Sequence, residues 1–221
     1  YSNEAGQGSG AIMCAPTETS HPAKQGLVQV LSVFVDTLVI CSASAVIILC
    51  SGFYNVQGAD GSLIVSQAGD VDYGILYVQE GLNSVFPGNW SGMVLAIATV
   101  LFVFTGMMGY YYQAESGMNY LFKGKRGAVW AIRIIFLTSI FSGVLMENAG
   151  LWALGDTGVG LMAWFNIIAI LLMRKQVKAI MVDFEEQNQK GLDPCFDPSE
   201  FGIEDSTGAW DRYAEQKKQR S

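Results

Sequence analysis

The sequence predicts an all-α membrane protein with four transmembrane helices, and three observations lead there. From Gly26 to Gly52 the chain is almost unbroken apolar residues, with Asp36 its single ionisable group. About 20 apolar residues, each rising about 1.5 Å, cross a bilayer core, and this run is longer. The composition agrees, since 51% of the 221 residues are hydrophobic and 15% charged. With a mean hydropathy of +0.30, that is too apolar for a domain that must wet its whole surface. Finally, Lys and Arg avoid every second connection between the apolar runs, as they do in multi-pass proteins.

The first span is therefore about 26–52. Three more follow: Trp90 to Gln113, Ala128 to Met146, and the shorter Thr157 to Met173. Between the first two, Phe53 to Asn89 carries Asp60, Asp70, Asp72 and Glu80 but no Lys or Arg, which places it outside the cell. Leu76, Leu82, Val85 and Phe86 in this segment predict a short amphipathic helix with Asp72 as N-cap; a solvated loop is the alternative. The next hinge holds Lys123, Lys125 and Arg126, and the last span is followed by Arg174, Lys175 and Lys178, so both are cytoplasmic. Lys24 before the first span and the base-free stretch Glu147 to Asp156 agree. The reading is a multi-pass plasma-membrane protein with a transmembrane part over 1–173 and a cytoplasmic tail over 174–221. In the tail, Pro194 and Pro198 stop any helix that passes Gln189 and leave a loosely ordered end. The net charge of −7 speaks against a nucleic-acid partner. Four cysteines at irregular spacing give neither a disulfide framework nor a metal motif.

An unpaired carboxylate in the middle of a span costs about 2.5 to 3.5 kcal/mol on insertion scales, so Asp36 should face protein, water or an ion. On a regular helix it shares a face with Gln29, Ser32 and Ala43. Either Asp36, with the hydroxyl of Thr37 or Ser32, holds a cation through hard oxygen ligands, or a hydrogen-bonded Asp36 ties helices together. Tyr110, Tyr111 and Tyr112, followed by Glu115, read as an interfacial aromatic belt, and Arg133 reads as an anchor that snorkels to headgroups. Asn166, at the middle of the fourth span, should find a hydrogen bond between helices. The alternating Gly6, Gly8 and Gly10 are not a phosphate loop, since no Gly-Lys-Ser/Thr follows; they allow close backbone packing. His21, followed by Pro22 at the membrane entry, reads as a solvated loop residue, with a proton-coupling role as the alternative. No nucleophile with a base, no paired catalytic carboxylates and no metal cluster stands out, so the chain reads as something other than an enzyme. Opening at Tyr1 inside a polar phrase, it reads as the C-terminal part of a longer protein.

The phrase from Ser2 to Gly52 (SNEAGQGSGAIMCAPTETSHPAKQG and the span after it) closely resembles the signature region of the alanine or glycine:cation symporters, sodium-coupled amino-acid carriers of bacteria and archaea. FTGMMGYYYQAESGMNYLF (Phe104 to Phe122) and DPCFDPSEFGI (Asp193 to Ile203) are similar to later phrases of that family. The resemblance implies a leucine-transporter-like fold of two inverted five-helix repeats, of which these look like the last four helices. It implies sodium-coupled symport of a small neutral amino acid, alanine or glycine, with sodium as coupling ion and no other cofactor. Thr105 then falls where such folds place a hydroxyl ligand of a second sodium site. The family often has two adjacent hydroxyls there, and here the second position is Gly106. Thr105 with Gly109 as a small-xxx-small packing surface is the alternative. Asn3 and Glu4 would be polar latches of an inner gate, and the outer segment would pack over the substrate vestibule. The residues that hold the amino acid are expected upstream of Tyr1. Proton coupling through Asp36, and a sensor or structural protein that keeps the scaffold without transport, are the competing readings.

Overall fold

A computed structural model describes residues 3–69, 71, 74–86, 88, 90–145, 149–205 and 207–220. After a one-and-a-half-turn helix α1 (Ser9–Cys14), the first span is a continuous helical segment made of α2 (Pro22–Val35), a π-helical turn (Asp36–Cys41) and α3 (Ser42–Ser51). Pro22 fits the first helical position, where its missing N–H has no partner to lose. A hairpin of β1 (Asn55–Gln57) and β2 (Leu63–Ser66) follows, then α4 (Leu76–Val85), α5 (Trp90–Phe122), α6 (Arg126–Leu145), α7 (Ala149–Gln189), a 3-10 turn (Pro198–Phe201) and α8 (Asp211–Arg220). Four of these helical segments are long and apolar enough to cross a membrane, and the central apolar window of none of them is buried within the chain. Leu38, Val100 and Leu172 are 66%, 67% and 80% exposed. Water-soluble monomers seldom expose contiguous apolar patches beyond a few hundred Å², so this surface belongs against lipid or other apolar helices. The chain is a multi-pass membrane protein.

Two compact units divide it: Asn3–Val33 with the chain from Tyr112 onward, and Phe34–Tyr111. In the second, β1 and β2 pair antiparallel with a bulge after Val56. The side chain of Asn55 closes this hairpin, accepting from the Ala68 N–H at 3.0 Å and donating to the Gly69 carbonyl at 2.9 Å. The expected short helix forms as α4, and Asp72 lies outside the described residues. Ile75 occupies the N-cap position and makes no side-chain cap. What seats α4 is Gly81, which is buried. A Cβ there would meet Ser51 Oγ at 3.0 Å and Ile47 Cγ2 at 3.4 Å, so α4 approaches α3 to a distance that only a residue without a side chain permits.

In the first unit the last part of α5, from Tyr112 on, is joined to α6 by a short turn. Helix α5 runs through the tyrosines to Phe122, nine residues past the expected span, and ends at the left-handed pair Lys123–Gly124. Helix α7 begins at Ala149 rather than near Thr157, because Gly155 and Asp156 do not break it and no proline intervenes. Its 41 residues extend about 60 Å, twice the hydrocarbon thickness. Its C-terminal part therefore stands clear of any bilayer that its N-terminal part crosses. There the expectation of a loosely ordered end is corrected. Pro194–Pro198 are buried. Asp197 caps the 3-10 turn through Ser199, and the rings of Phe196, Phe201 and Trp210 pack at centroid distances of 5.4 and 4.9 Å about Phe196. Prolines stop a helix but do not prevent folding.

Candidate functional site

The carboxylate singled out by the sequence sits at a break in regular helix. Asp36 opens the π-turn, a wider turn closed by i→i+5 bonds that recurs at functional sites. The Thr37 carbonyl accepts both the Ser42 N–H and, at 3.1 Å, the Ser42 hydroxyl. The Cys41 thiol donates to Asp36 Oδ2 at 3.8 Å. Asp36 is half-buried and Thr37 exposed. A π-turn acts as a one-residue insertion and rotates everything beyond it by about 100° relative to a straight α-helix. Ala43 therefore does not continue the stripe of Gln29, Ser32 and Asp36. The turn carries the Asp36 carboxylate and, one residue on, the Thr37 hydroxyl, while the Thr37 carbonyl is taken up by the two Ser42 donors.

Thr105 lies on α5 with its hydroxyl turned into its own helix. Oγ1 donates toward the carbonyls of Leu101 at 2.9 Å and Phe102 at 3.0 Å. The structure therefore does not join Thr105 to Asp36 or Thr37 by a hydrogen bond. Donating its proton to the backbone nevertheless leaves the oxygen lone pairs directed away from the helix, the orientation a cation ligand needs.

At the N-terminal end, Asn3 Oδ1 accepts the Ala5 N–H at 3.2 Å and the Glu4 carbonyl accepts the Gln7 N–H at 3.2 Å, so both residues shape a tight turn. That turn is held by Asn166. Its amide donates to the Gly6 carbonyl at 2.9 Å, and Gly8 (φ +88°) lies so close that a Cβ would stand 3.1 Å from the Asn166 amide group. Asn166 thus bonds a glycine-rich loop, where a partner on another helix was expected. Of the three glycines only Gly8 packs closely: a Cβ at Gly6 would meet nothing within 4 Å, and one at Gly10 would meet Gln29 Oε1 at an ordinary 3.5 Å. Glu115 and Arg133 meet across the turn at Lys123–Gly124. They form an ion pair at 3.0 Å between α5 and α6, with the guanidinium 5.6 Å from the Trp130 ring centroid. The pair links the end of α5 to the start of α6. His21, expected in solvent, has no exposed surface.

Among the described residues no group of His, Cys, Asp and Glu has the arrangement of a metal centre. The comparisons with known proteins bear on what these residues serve. The sequence model of the Sodium:alanine symporter family matches residues 1–198. The chain is 47% identical over 208 residues to the putative sodium/proton-dependent alanine carrier protein YrbD of Bacillus subtilis, covering 93% of this chain and 43% of that protein. It is 44% identical to the sodium/proton-dependent alanine carrier protein of Bacillus sp. strain PS3, covering 93% and 47%. It is 38% identical to the probable sodium/glutamine symporter GlnT of Bacillus subtilis, covering 89% and 38%. The chain thus spans less than half the length of these relatives. No solved structure gives a significant match.

Proposed function

The chain belongs to the sodium:alanine symporter family, and we propose on that premise that it serves sodium-coupled symport of a small neutral amino acid, alanine or glycine, across the plasma membrane by alternating access. The members of the family are transporters, not enzymes. The observation that carries the reading is the π-turn that Asp36 opens, a departure from regular helix at the one carboxylate of a span otherwise free of charge. In that setting Asp36 and Thr37 contribute to one cation site, and Thr105 supplies a hydroxyl to another. Asn3 and Glu4 act in the gate that the turn at Gly6 and Gly8 closes against Asn166. The four spans are the last four of a leucine-transporter-like inverted repeat, and the hairpin with α4 lies over the substrate vestibule. The cytoplasmic side is the one that carries Lys125 and the chain beyond α7.

Proton coupling is the second reading, since two relatives carry both ions in their names. The test is uptake of labelled alanine into vesicles that hold the full-length protein, which supplies the residues expected upstream of Tyr1. An inward sodium gradient at constant pH should drive accumulation, and a pH gradient without sodium should not; the reverse would transfer the role of coupling ion to the proton. Alanine and glycine should compete with the label, and competition by glutamine alone would move the substrate class.

Orientation has a separate check. In a cysteine-free background, Ser66→Cys in the exposed strand β2 should react with an impermeant thiol reagent added to intact cells. Lys125→Cys, between α5 and α6, should be spared. Labelling of Lys125→Cys from outside would invert the topology.

A further inference from the structure

The most deeply packed polar cluster among the described residues lies away from the proposed ion sites, at the start of the first span. His21, immediately before α2, has no exposed surface, and its ring centroid lies 5.3 Å from that of Phe184 on α7 and 5.5 Å from that of Phe196. A backbone N–H can only donate, so the 3.2 Å contact of Ala23 N with Nδ1 makes Nδ1 an acceptor without a proton. The ring proton is then on Nε2, 3.3 Å from Asp183 Oδ2. Asp183 also accepts from Gln187 at 2.9 Å and from Lys217 on α8 at 2.9 and 3.0 Å. Lys217 in turn reaches Glu200 at 2.7 Å. Backbone bonds finish the joint: the Phe196 N–H donates to the Ser20 carbonyl and the Ser20 hydroxyl to the Pro194 carbonyl, both at 2.9 Å. Gln187 pairs with the N–H and carbonyl of Cys195, again at 2.9 Å. One carboxylate thus gathers the start of α2, the end of α7 and the terminal helix α8.

We propose that this cluster is a proton-operated clamp: residues 193–205 and α8 dock on the start of α2 while His21 is neutral, and let go when Nδ1 takes up a proton. Protonation turns Nδ1 into a donor facing the Ala23 donor. It also adds a positive charge beside Lys217 on α8 and Lys24 on α2, while the facing carboxylate, Asp183, is already shared with Lys217. Lys24 itself is paired with Asp193 and, at 2.6 Å, with the Ser20 hydroxyl, and Glu200 acts only through Lys217. Burial lowers the proton affinity of His21 below the ordinary histidine range. The hydrogen bond and charge of Asp183 oppose this, and Lys217 and Lys24 add to the fall. The sign follows. A histidine whose folded pKa lies below its unfolded value near about 6.5 stabilises the docked form fully above that pH and loses the contribution as pH falls toward the lowered value. The clamp therefore holds at neutral and alkaline pH and loosens in acid.

Cys195, which has no exposed surface in the docked tail, is a built-in reporter. Its alkylation by N-ethylmaleimide in the membrane-embedded protein is followed by mass spectrometry of its own peptide. The rate is compared with that of His21→Gln, whose amide can donate to Asp183 but does not titrate. The ratio at each pH removes the ionisation of the thiol itself. Native protein and variant should react equally at pH 8, and the native thiol should react at least fivefold faster than the variant's at pH 5.5. A ratio near one at both pH values overturns the clamp. If His21→Gln frees the tail at pH 8, hydrogen exchange of the native protein decides. After correction for intrinsic rates, amides 193–203 should lose protection at least fivefold between pH 8 and 5.5 while α6 keeps its own, and unchanged protection of 193–203 overturns the proposal. Neither readout involves transport, so the clamp stands or falls separately from symport.

Discussion

Asp36→Asn should lower sodium-driven alanine uptake at least tenfold while the protein remains in the membrane in normal amount. Asparagine keeps the size of the side chain and an oxygen for the Cys41 thiol, so the π-turn has no reason to change. What disappears is the charge. At an effective dielectric of about 20, unit charges roughly 4 Å apart attract by about 4 kcal/mol. Half of that is on the order of thirtyfold in cation affinity. The effect should appear mainly as a raised sodium requirement, partly relieved at high sodium. If the carboxylate only organises the turn through its hydrogen bond, asparagine will do as well, and unchanged uptake with unchanged sodium dependence would remove Asp36 from the ion site.

What was legible in the sequence follows from the range of each interaction. The four spans are readable because an apolar run of sufficient length has no other stable destination, and they appear close to where they were expected. Their ends are less so. Hydropathy marks where a helix leaves lipid, not where its hydrogen bonding stops, so α5 and α7 continue as helix into their polar flanks. The π-turn left no trace, because i→i+5 and i→i+4 bonding make the same demands on composition. Only a carboxylate in an apolar run hinted that the segment is unusual.

Long-range partners divide in the same way. Glu115 and Arg133 lie at equal distances before and after the turn at Lys123–Lys125, so a chain that doubles back at that turn could have paired them. His21 could not be read. Its carboxylate partner is 162 positions away, and a histidine followed by proline looks like any loop residue. The one local signal was the DPCFDPSEF phrase itself, whose buried Cys195 and Phe196 are uncommon in a trailing polar end.

Asp183 should be the residue whose loss costs the tail most. Its side chain is 17% exposed and that of Lys217 14%, so Asp183→Ala leaves an ammonium largely out of water, with His21 and Gln187 also deprived of their acceptor. Removing one partner of a buried ion pair typically costs about 3 to 5 kcal/mol, because the remaining charge keeps its desolvation penalty; Glu200 leaves Lys217 part of its compensation, which puts the expected cost at the lower end. Lys217 now has a proton affinity raised by Glu200 and Asp183 against the opposing effect of burial. Without Asp183 the ammonium keeps only the half-exposed Glu200 as its partner against the same burial cost, and α8 should detach far more readily. Hydrogen exchange in α8 should accelerate by roughly a hundredfold, as about 3 kcal/mol implies. Glu200→Gln is the control. Glu200 is 49% exposed, and exposed pairs contribute about 1 kcal/mol or less, so exchange should change by fivefold at most. If the two substitutions accelerate exchange equally, Asp183 is not the hub, and the tail is held by the aromatic packing of Phe196, Phe201 and Trp210 instead.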